Sequence, residues 1–408
     1  MKILFYNHTG TASGAEQVLL MILKELNHQA FDPVVLCPPE GRLTEMVNEV
    51  GVRIIHIKSL KARFTWRVDY LVQSLVSFVG VIRAARSTIL SEAPDLVHAN
   101  SIRAGLVMSI ATAGLKVPVI WHAHDVLPRH PLSVAVRLVA CASKRNHILA
   151  VAGAVAARFL GVMARGAAWR SRIKVLYNPV DAERFQPNST SRRETRRLLG
   201  ISDKTQAIGI VAHLTPQKGQ LELIEAFASI ASEAPDAVLF VIGEALFNGG
   251  SDYKNSLIRA ASSPEIADRV RFLGARNDVP VLMRGLDLLV VNSITEAFSL
   301  TVLEGMASGT PIVATAGGGT PEMIRHNENG WLIPARDRRS LSEALLTLLG
   351  DEPLRKNLAT HARRDAVARF SMEGFSAGID SFYRGVKESG KKPSYRPAPN
   401  FGAKLTSD

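Results

Sequence analysis

The stretch Glu296 to Thr315, EAFSLTVLEGMASGTPIVAT, decides how this chain is read. It follows an apolar run, Leu286 to Val291, which predicts a strand buried on both faces, so the polar turn Asn292 to Thr295 should emerge at that strand's carboxyl end. In an open α/β sheet, ligands bind there. A short helix is expected from Leu300 to Gly309, with Pro311 beyond it barring continuation. Its amino end then faces the crevice. The free N–H groups of Ser299, Leu300 and Thr301, together with the positive end of the helix dipole, make an anion site suited to a phosphate. Glu296 precedes that site and Glu304 lies inside the helix. Carboxylates repel phosphate, so the pair reads as acceptors for sugar hydroxyls on either side of it.

This pattern of Glu, seven intervening residues, Glu, a small-residue helix end and the strand TPIVAT resembles the signature of the retaining family 4 glycosyltransferases. Two flanking blocks, HLTPQKGQLELIEAF upstream and GGGTPEMIRHNENGWLIPARD downstream, resemble the family's neighbouring motifs in the right order. The resemblance implies an α/β protein of the GT-B fold, with two Rossmann-like doubly wound domains facing each other across a cleft. It implies a metal-independent hexosyltransferase that carries a hexosyl group from a UDP- or GDP-sugar to a glycan or lipid-linked acceptor, in cell-surface polysaccharide or glycolipid biosynthesis. No cofactor is implied, since the nucleotide sugar is itself a substrate.

Carried over residue by residue, the resemblance makes His124, Glu296 and Lys218 the catalytic set. Lys218 meets the diphosphate, a task the family shares between this lysine and an arginine five residues earlier, where this chain has His213. Gly14, Gly243, Phe298, Ser299, Leu300 and Thr301 complete the donor side, with Glu304 at the ribose, Glu296 at the sugar and Glu322 in the same site. The family usually has a double glycine at the loop of Gly14, and Ser13 stands in for the first. His124, in the HD pair of VIWHAHD, matches a histidine near the transferred sugar, and His98 and Asp125 fall on the acceptor side. On residue type alone His98, His122 and His124 could hold zinc, although no helical spacing supports it.

The rest of the chain frames that reading. At 408 residues and 47% apolar, two domains are expected: residues 1–186 as an acceptor domain, 187–369 as the nucleotide-sugar domain, 370–390 as a helix crossing back to the first, and 391–408 as a disordered tail. The polar, basic run Pro187 to Arg197 reads as the linker. Short β-rich runs alternate with helical segments, which argues for parallel sheets. Ser13 and Glu16 have capping-box spacing before a helix.

Charge is uneven. Residues 1–186 hold 22 Lys and Arg against 12 Asp and Glu, the remainder 27 against 25. A basic first half could meet an anionic membrane surface or an acidic substrate, and the segments Trp66 to Leu90 and LSVAVRLVACASKRN read either as core helices or as interfacial ones. No aromatic-interleaved basic stripe appears, so no nucleic-acid partner is expected. No apolar run is long enough to span a bilayer, the amino terminus reads as a strand rather than a signal peptide, and two cysteines make no disulfide framework. A cytoplasmic protein, peripheral on the inner face of the membrane, is the expectation. The competing functions are a nucleotide-sugar epimerase of the same architecture and a non-catalytic nucleotide-sugar-binding subunit.

Overall fold

The computed structural model describes residues 1–60, 68–128, 130–161, 167–245 and 251–388. Seven strands build a first sheet: β1 Lys2–Tyr6, β2 Asp32–Cys37, β3 Arg53–His56, β4 Leu96–Ala99, β5 Val119–Ala123, β6 Asn146–Ala150 and β7 Ile173–Val175. Six build a second: β8 Gln206–Val211, β9 Ala237–Ile242, β10 Val270–Gly274, β11 Leu288–Val291, β12 Ile312–Thr315 and β13 Trp331–Ile333. Every pairing within them is parallel. The orders are β3-β2-β1-β4-β5-β6-β7 and β10-β9-β8-β11-β12-β13. Each order reverses direction once, between β1 and β4 in the first sheet and between β8 and β11 in the second, and these are the points where such sheets open a ligand crevice.

Both faces of the sheets are covered, as parallel strands require. Along β1, Leu4 and Tyr6 join the core on one side while Ile3 and Phe5 join the core on the other, the two-residue alternation of a strand. In β11 all four residues are buried, so the uniformly apolar pattern reports a strand with no solvent face.

Three segments differ from, or add to, the sequence reading. Pro187 to Arg197 is not an open linker: the helix Ser189–Leu198 occupies it, capped by Asn188, whose side chain accepts from the Ser191 N–H at 2.8 Å. Arg192 and Arg196 on this helix reach Asp287 at 2.6 and 3.0 Å, and those distant ion pairs turn a linker-like composition into structure. The helix Met372–Glu388 lies on the first sheet through Phe375, Ile379, Tyr383 and Val386, with Lys387 3.1 Å from Asp95. The helix Pro131–Ala142 turns Ser133 and Ala140 inward and leaves Leu132, Val134 and Leu138 46%, 45% and 55% exposed.

The helix Val68–Glu92 buries Val81, Ala85 and Ile89, and Arg86 donates to the carbonyls of Ala111 and Ala113, both at 2.8 Å. Trp66, Arg67 and the tail expected at 391–408 lie outside the described residues. Among the described residues no helix is long and apolar enough to cross a membrane, and neither Cys37 nor Cys141 forms a disulfide.

Candidate functional site

The carboxyl ends of the two sheets face one another across a cavity of about 890 Å³. Residues following β1, β4 and β5 line one side, and residues following β8, β9 and β11 line the other. Both crevices therefore open into a single space, which is what two doubly wound sheets placed face to face produce.

On the second-sheet side the helix Leu300–Ser308 begins at the cavity wall. Ser299 caps it, its hydroxyl accepting from the Val302 N–H at 3.5 Å, and its carbonyl accepts from the Leu303 N–H at 3.3 Å. The N–H groups of Leu300 and Thr301, in the first turn, have no intrahelical acceptor. Gly309 ends the helix with φ at +64°, a left-handed turn that suits glycine.

Beside that helix end, Lys218 Nζ lies 2.5 Å from Glu296 Oε1, and the Ser293 hydroxyl donates to the same carboxylate at 2.6 Å. The Glu296 carbonyl accepts from the Gly319 N–H at 2.8 Å, which ties this carboxylate's backbone to the glycine-rich turn. His213 lines the cavity half-buried; burial, then the neighbouring Lys218 charge, lower its pKa, so the ring is neutral near pH 7. Gly243 has φ of +142° and a Cβ there would stand 1.9 Å from the Ala212 carbonyl oxygen, so the loop after β9 needs glycine to pass this close to the loop after β8. Phe298 stacks on Tyr177 with centroids 4.9 Å apart, and its carbonyl accepts from Asn178 Nδ2 at 3.2 Å.

Glu304 sits one turn beyond Leu300 on the same helix face and is half-buried. It is not among the residues lining the cavity. Burial pushes its carboxyl up to about 7, with Arg184 opposing.

On the first-sheet side Gly14 opens the helix Gly14–Glu25, and a Cβ added there would meet nothing within 4 Å, so the loop is open to the cavity. Ser13 makes the capping box: Glu16 Oε2 accepts from the Ser13 N–H at 3.0 Å and from its hydroxyl at 2.5 Å. From Glu16 a hydrogen-bonded run continues through Asn7 at 3.0 Å and Asn100 at 3.0 Å to His124 Nε2 at 3.1 Å. Burial lowers the His124 pKa to about 3, leaving the imidazole uncharged. Asp125 lines the cavity next to it, its carboxyl raised by desolvation against the pull of Arg103. His8 completes this wall, bonded to Ser101 at 3.1 Å and lowered to about 4 by burial and Arg103.

Two expectations require correction. His98 is not on the acceptor side: it is fully buried on the other side of β4, bonded to Tyr383 at 2.8 Å and to His122 at 3.1 Å, because the helix Met372–Glu388 packs over it. Glu322 does not line the cavity either. Its two oxygens accept from the N–H groups of Gly153 and Ala154 at 2.7 and 2.8 Å, capping the helix Gly153–Leu160 of the first-sheet half. Among the described residues no group of three His, Cys, Asp or Glu side chains could hold a metal ion. The sequence reading missed Asn7, Asn100 and His8. Each follows the carboxyl end of β1 or β4, the strands flanking the first switch point, and a polar residue at that position was the available signal.

Two doubly wound parallel sheets closing on a common cleft define the GT-B class of glycosyltransferases. The sequence matches the family descriptions "Glycosyl transferases group 1" over residues 191–365 and "Glycosyl transferase 4-like domain" over residues 13–188. A solved structure of Anabaena HepE in complex with UDP and glucose superposes with a TM-score of 0.79 at 27% identity, covering 94% of this chain and 99% of that one. The D-inositol 3-phosphate glycosyltransferase of Salinispora arenicola is 33% identical over 52% of this chain and 49% of its own length. The Escherichia coli UDP-Gal:α-D-GlcNAc-diphosphoundecaprenol α-1,3-galactosyltransferase is 24% identical over 84% of this chain and 86% of its own. The match to the S. arenicola relative thus spans about half that protein's length. The chain belongs to the family 4 glycosyltransferases.

Proposed function

We propose that the protein transfers a hexosyl group, with retention of anomeric configuration and without a metal ion, from a nucleotide diphospho-sugar to a hydroxyl of a glycan or lipid-linked acceptor. The observation that carries this reading is the grouping of the Leu300 helix end, Lys218 and Glu296 on one wall of the cavity with His124 and Asp125 on the other. The diphosphate would lie at the helix end and against Lys218, and Glu296 would accept from hydroxyls of the sugar. Glu304, close behind on the same helix, would accept from the ribose. As the C1–O bond to the leaving phosphate breaks, the acceptor oxygen bonds C1 on the same face and its proton passes to the departing phosphate oxygen. The negative charge that develops on the nucleotide diphosphate is met by a fixed dipole and a cation that need no reorganisation. Approach of the two halves would exclude water from the bond being made.

HepE, crystallised with UDP and glucose, supports UDP as the nucleotide. The helix Pro131–Ala142 packs Val136, Val139 and Ala140 against the core and still leaves Leu132, Val134 and Leu138 exposed in the basic half of the chain, which supports a lipid-linked acceptor and peripheral attachment to the inner face of the cell membrane. Flotation with phosphatidylglycerol vesicles should carry the protein, and L132E with L138E should release it.

A thermal-shift panel of UDP-, GDP- and ADP-sugars identifies the donor. The donor so found is then incubated with the protein and the anomeric configuration of the product is read by NMR. Retained configuration in a transferred or slowly hydrolysed sugar supports the proposal. An inverted product, or an epimerised nucleotide sugar, contradicts it.

A further inference from the structure

Among the described residues His124 uses one ring nitrogen, Nε2, in a hydrogen bond. Asn100 Nδ2 donates to Asn7 Oδ1 at 3.0 Å and to the Ala15 carbonyl at 3.2 Å, and a carbonyl can only accept, so the amide nitrogen of Asn100 must face that way. Its Oδ1 therefore faces His124 Nε2, 3.1 Å away. Two acceptors cannot share that contact, so Nε2 carries the proton and Nδ1 is left as a lone pair.

Behind His124 lies a second set of buried groups. Tyr383, on the helix that arrives from the far end of the chain, is 2.8 Å from His98 Nδ1, and His98 Nε2 is 3.1 Å from His122 Nδ1. The His122 ring lies 3.9 Å from that of His124, centroid to centroid. Only one polarity of this chain satisfies most of its members: the tyrosine hydroxyl donates to His98, and His98 donates to His122. The reverse leaves the buried hydroxyl proton with nothing to bond. Even in the favoured direction His122 Nε2 is buried with no partner among the described residues. A core built for stability alone has no use for a row of polar rings with one nitrogen unsatisfied, since apolar side chains of the same shape would fill it without that loss.

We propose that Tyr383, His98 and His122 are positioning residues for His124: through the ring contact with His122 they hold the plane of its imidazole, while Asn100 sets the Nε2–H tautomer and leaves Nδ1 as a hydrogen-bond acceptor. A hydroxyl of the transferred sugar can donate to that nitrogen, whereas a carboxylate or a carbonyl at the same place would meet a lone pair. The helix Met372–Glu388 thereby acts on a group of the cleft wall through the buried Tyr383 hydroxyl. The kinetic part of this inference rests on the proposed glycosyl transfer; the spectroscopic part does not.

Long-range proton–nitrogen NMR of the full chain, labelled at histidine nitrogen, reads the tautomer directly. His124 should show a protonated Nε2 and a bare Nδ1 in the wild type, and a protonated Nδ1 would overturn the proposal without any variant being made. In Tyr383→Phe, which keeps the ring and removes only the hydroxyl, the His124 signals should move or split. With the donor identified, kcat should fall about tenfold while the donor KM changes less than twofold. A folded Y383F with unmoved His124 signals and unchanged kcat would also overturn it. If the tautomer is as stated and the His124 signals move in Y383F but no nucleotide sugar is turned over, the glycosyl-transfer reading fails and the positioning chain stands.

Discussion

Lys218 and Glu296 hold each other: the ammonium nitrogen of one lies 2.5 Å from a carboxylate oxygen of the other, at the mouth of the Leu300 helix. A cation meant for a diphosphate and a carboxylate meant for sugar hydroxyls neutralise one another until a donor separates their tasks. The pair is only partly shielded, with side chains 31% and 14% exposed, so its worth to stability is about 1 kcal/mol or less. Lys218→Met should accordingly leave thermal unfolding nearly unchanged while turnover falls by about 10²- to 10³-fold, the usual cost of losing one preorganised charge at a leaving group. Parallel melting curves and steady-state rates check both halves of that expectation.

Glu304 supplies a pH signature. Its carboxyl is raised by burial to about 7 from the ordinary 4.5, so the folded protein binds this proton more tightly than the unfolded chain does. Stability from this group is therefore present below about pH 4.5 and is lost as pH rises through 7. Relative to Glu304→Gln, the wild type should lose about 1–3 kcal/mol between pH 5 and pH 8. Nucleotide affinity should run the other way, strengthening over the same range as the carboxylate forms and accepts from the ribose. Urea titrations and calorimetric binding at several pH values, with the wild type compared with the Gln variant at each pH so that the histidines common to both cancel, would bear this out.

His213 presents a neutral ring to the cavity on the same side as Lys218. Burial and Lys218 keep its ring neutral near pH 7. Replacing it with Arg adds a permanent cation that can share the diphosphate, and a charge-assisted hydrogen bond contributes about 1.5–3 kcal/mol. Nucleotide diphosphate affinity of His213→Arg should rise about tenfold and become more sensitive to salt.

Glu322 joins the two halves of the molecule by capping the helix Gly153–Leu160 through two backbone N–H groups. Glu322→Ala should cost about 1–2 kcal/mol, the value of a good helix cap. A local marker accompanies it. Burial, and then Glu322, push the Tyr177 hydroxyl up to about 12, so removing the carboxylate should let that phenol ionise at lower pH in an ultraviolet titration.

How much of this could be read from the letters depended on how far apart the partners lie. The helix from Leu300 to its Gly309 stop, the buried strand before it and the capping box of Ser13 and Glu16 are written in residues a few positions apart, and all three form as expected. His98 was misplaced because the residue that claims it, Tyr383, is 285 positions away. Glu322 was misread for the same reason, its helix lying 169 positions earlier at Gly153. The helix Ser189–Leu198 looked like a linker because Arg192 and Arg196 are polar until Asp287 neutralises them. Contacts of that range leave no periodicity in the sequence.

The most direct test concerns the main-chain donors at the start of the Leu300 helix. Proline at the first helical position fits the helix and removes a single main-chain donor, at the cost of the Leu300 side chain packed against the core, and Ser299 already has φ −71° and ψ 121°, the conformation that a following proline favours. Calorimetry of Leu300→Pro against UDP and against uridine separates phosphate from base. UDP should bind about tenfold or more weakly while uridine binds as before; equal UDP affinity in the two proteins would mean that no diphosphate is held at this helix end.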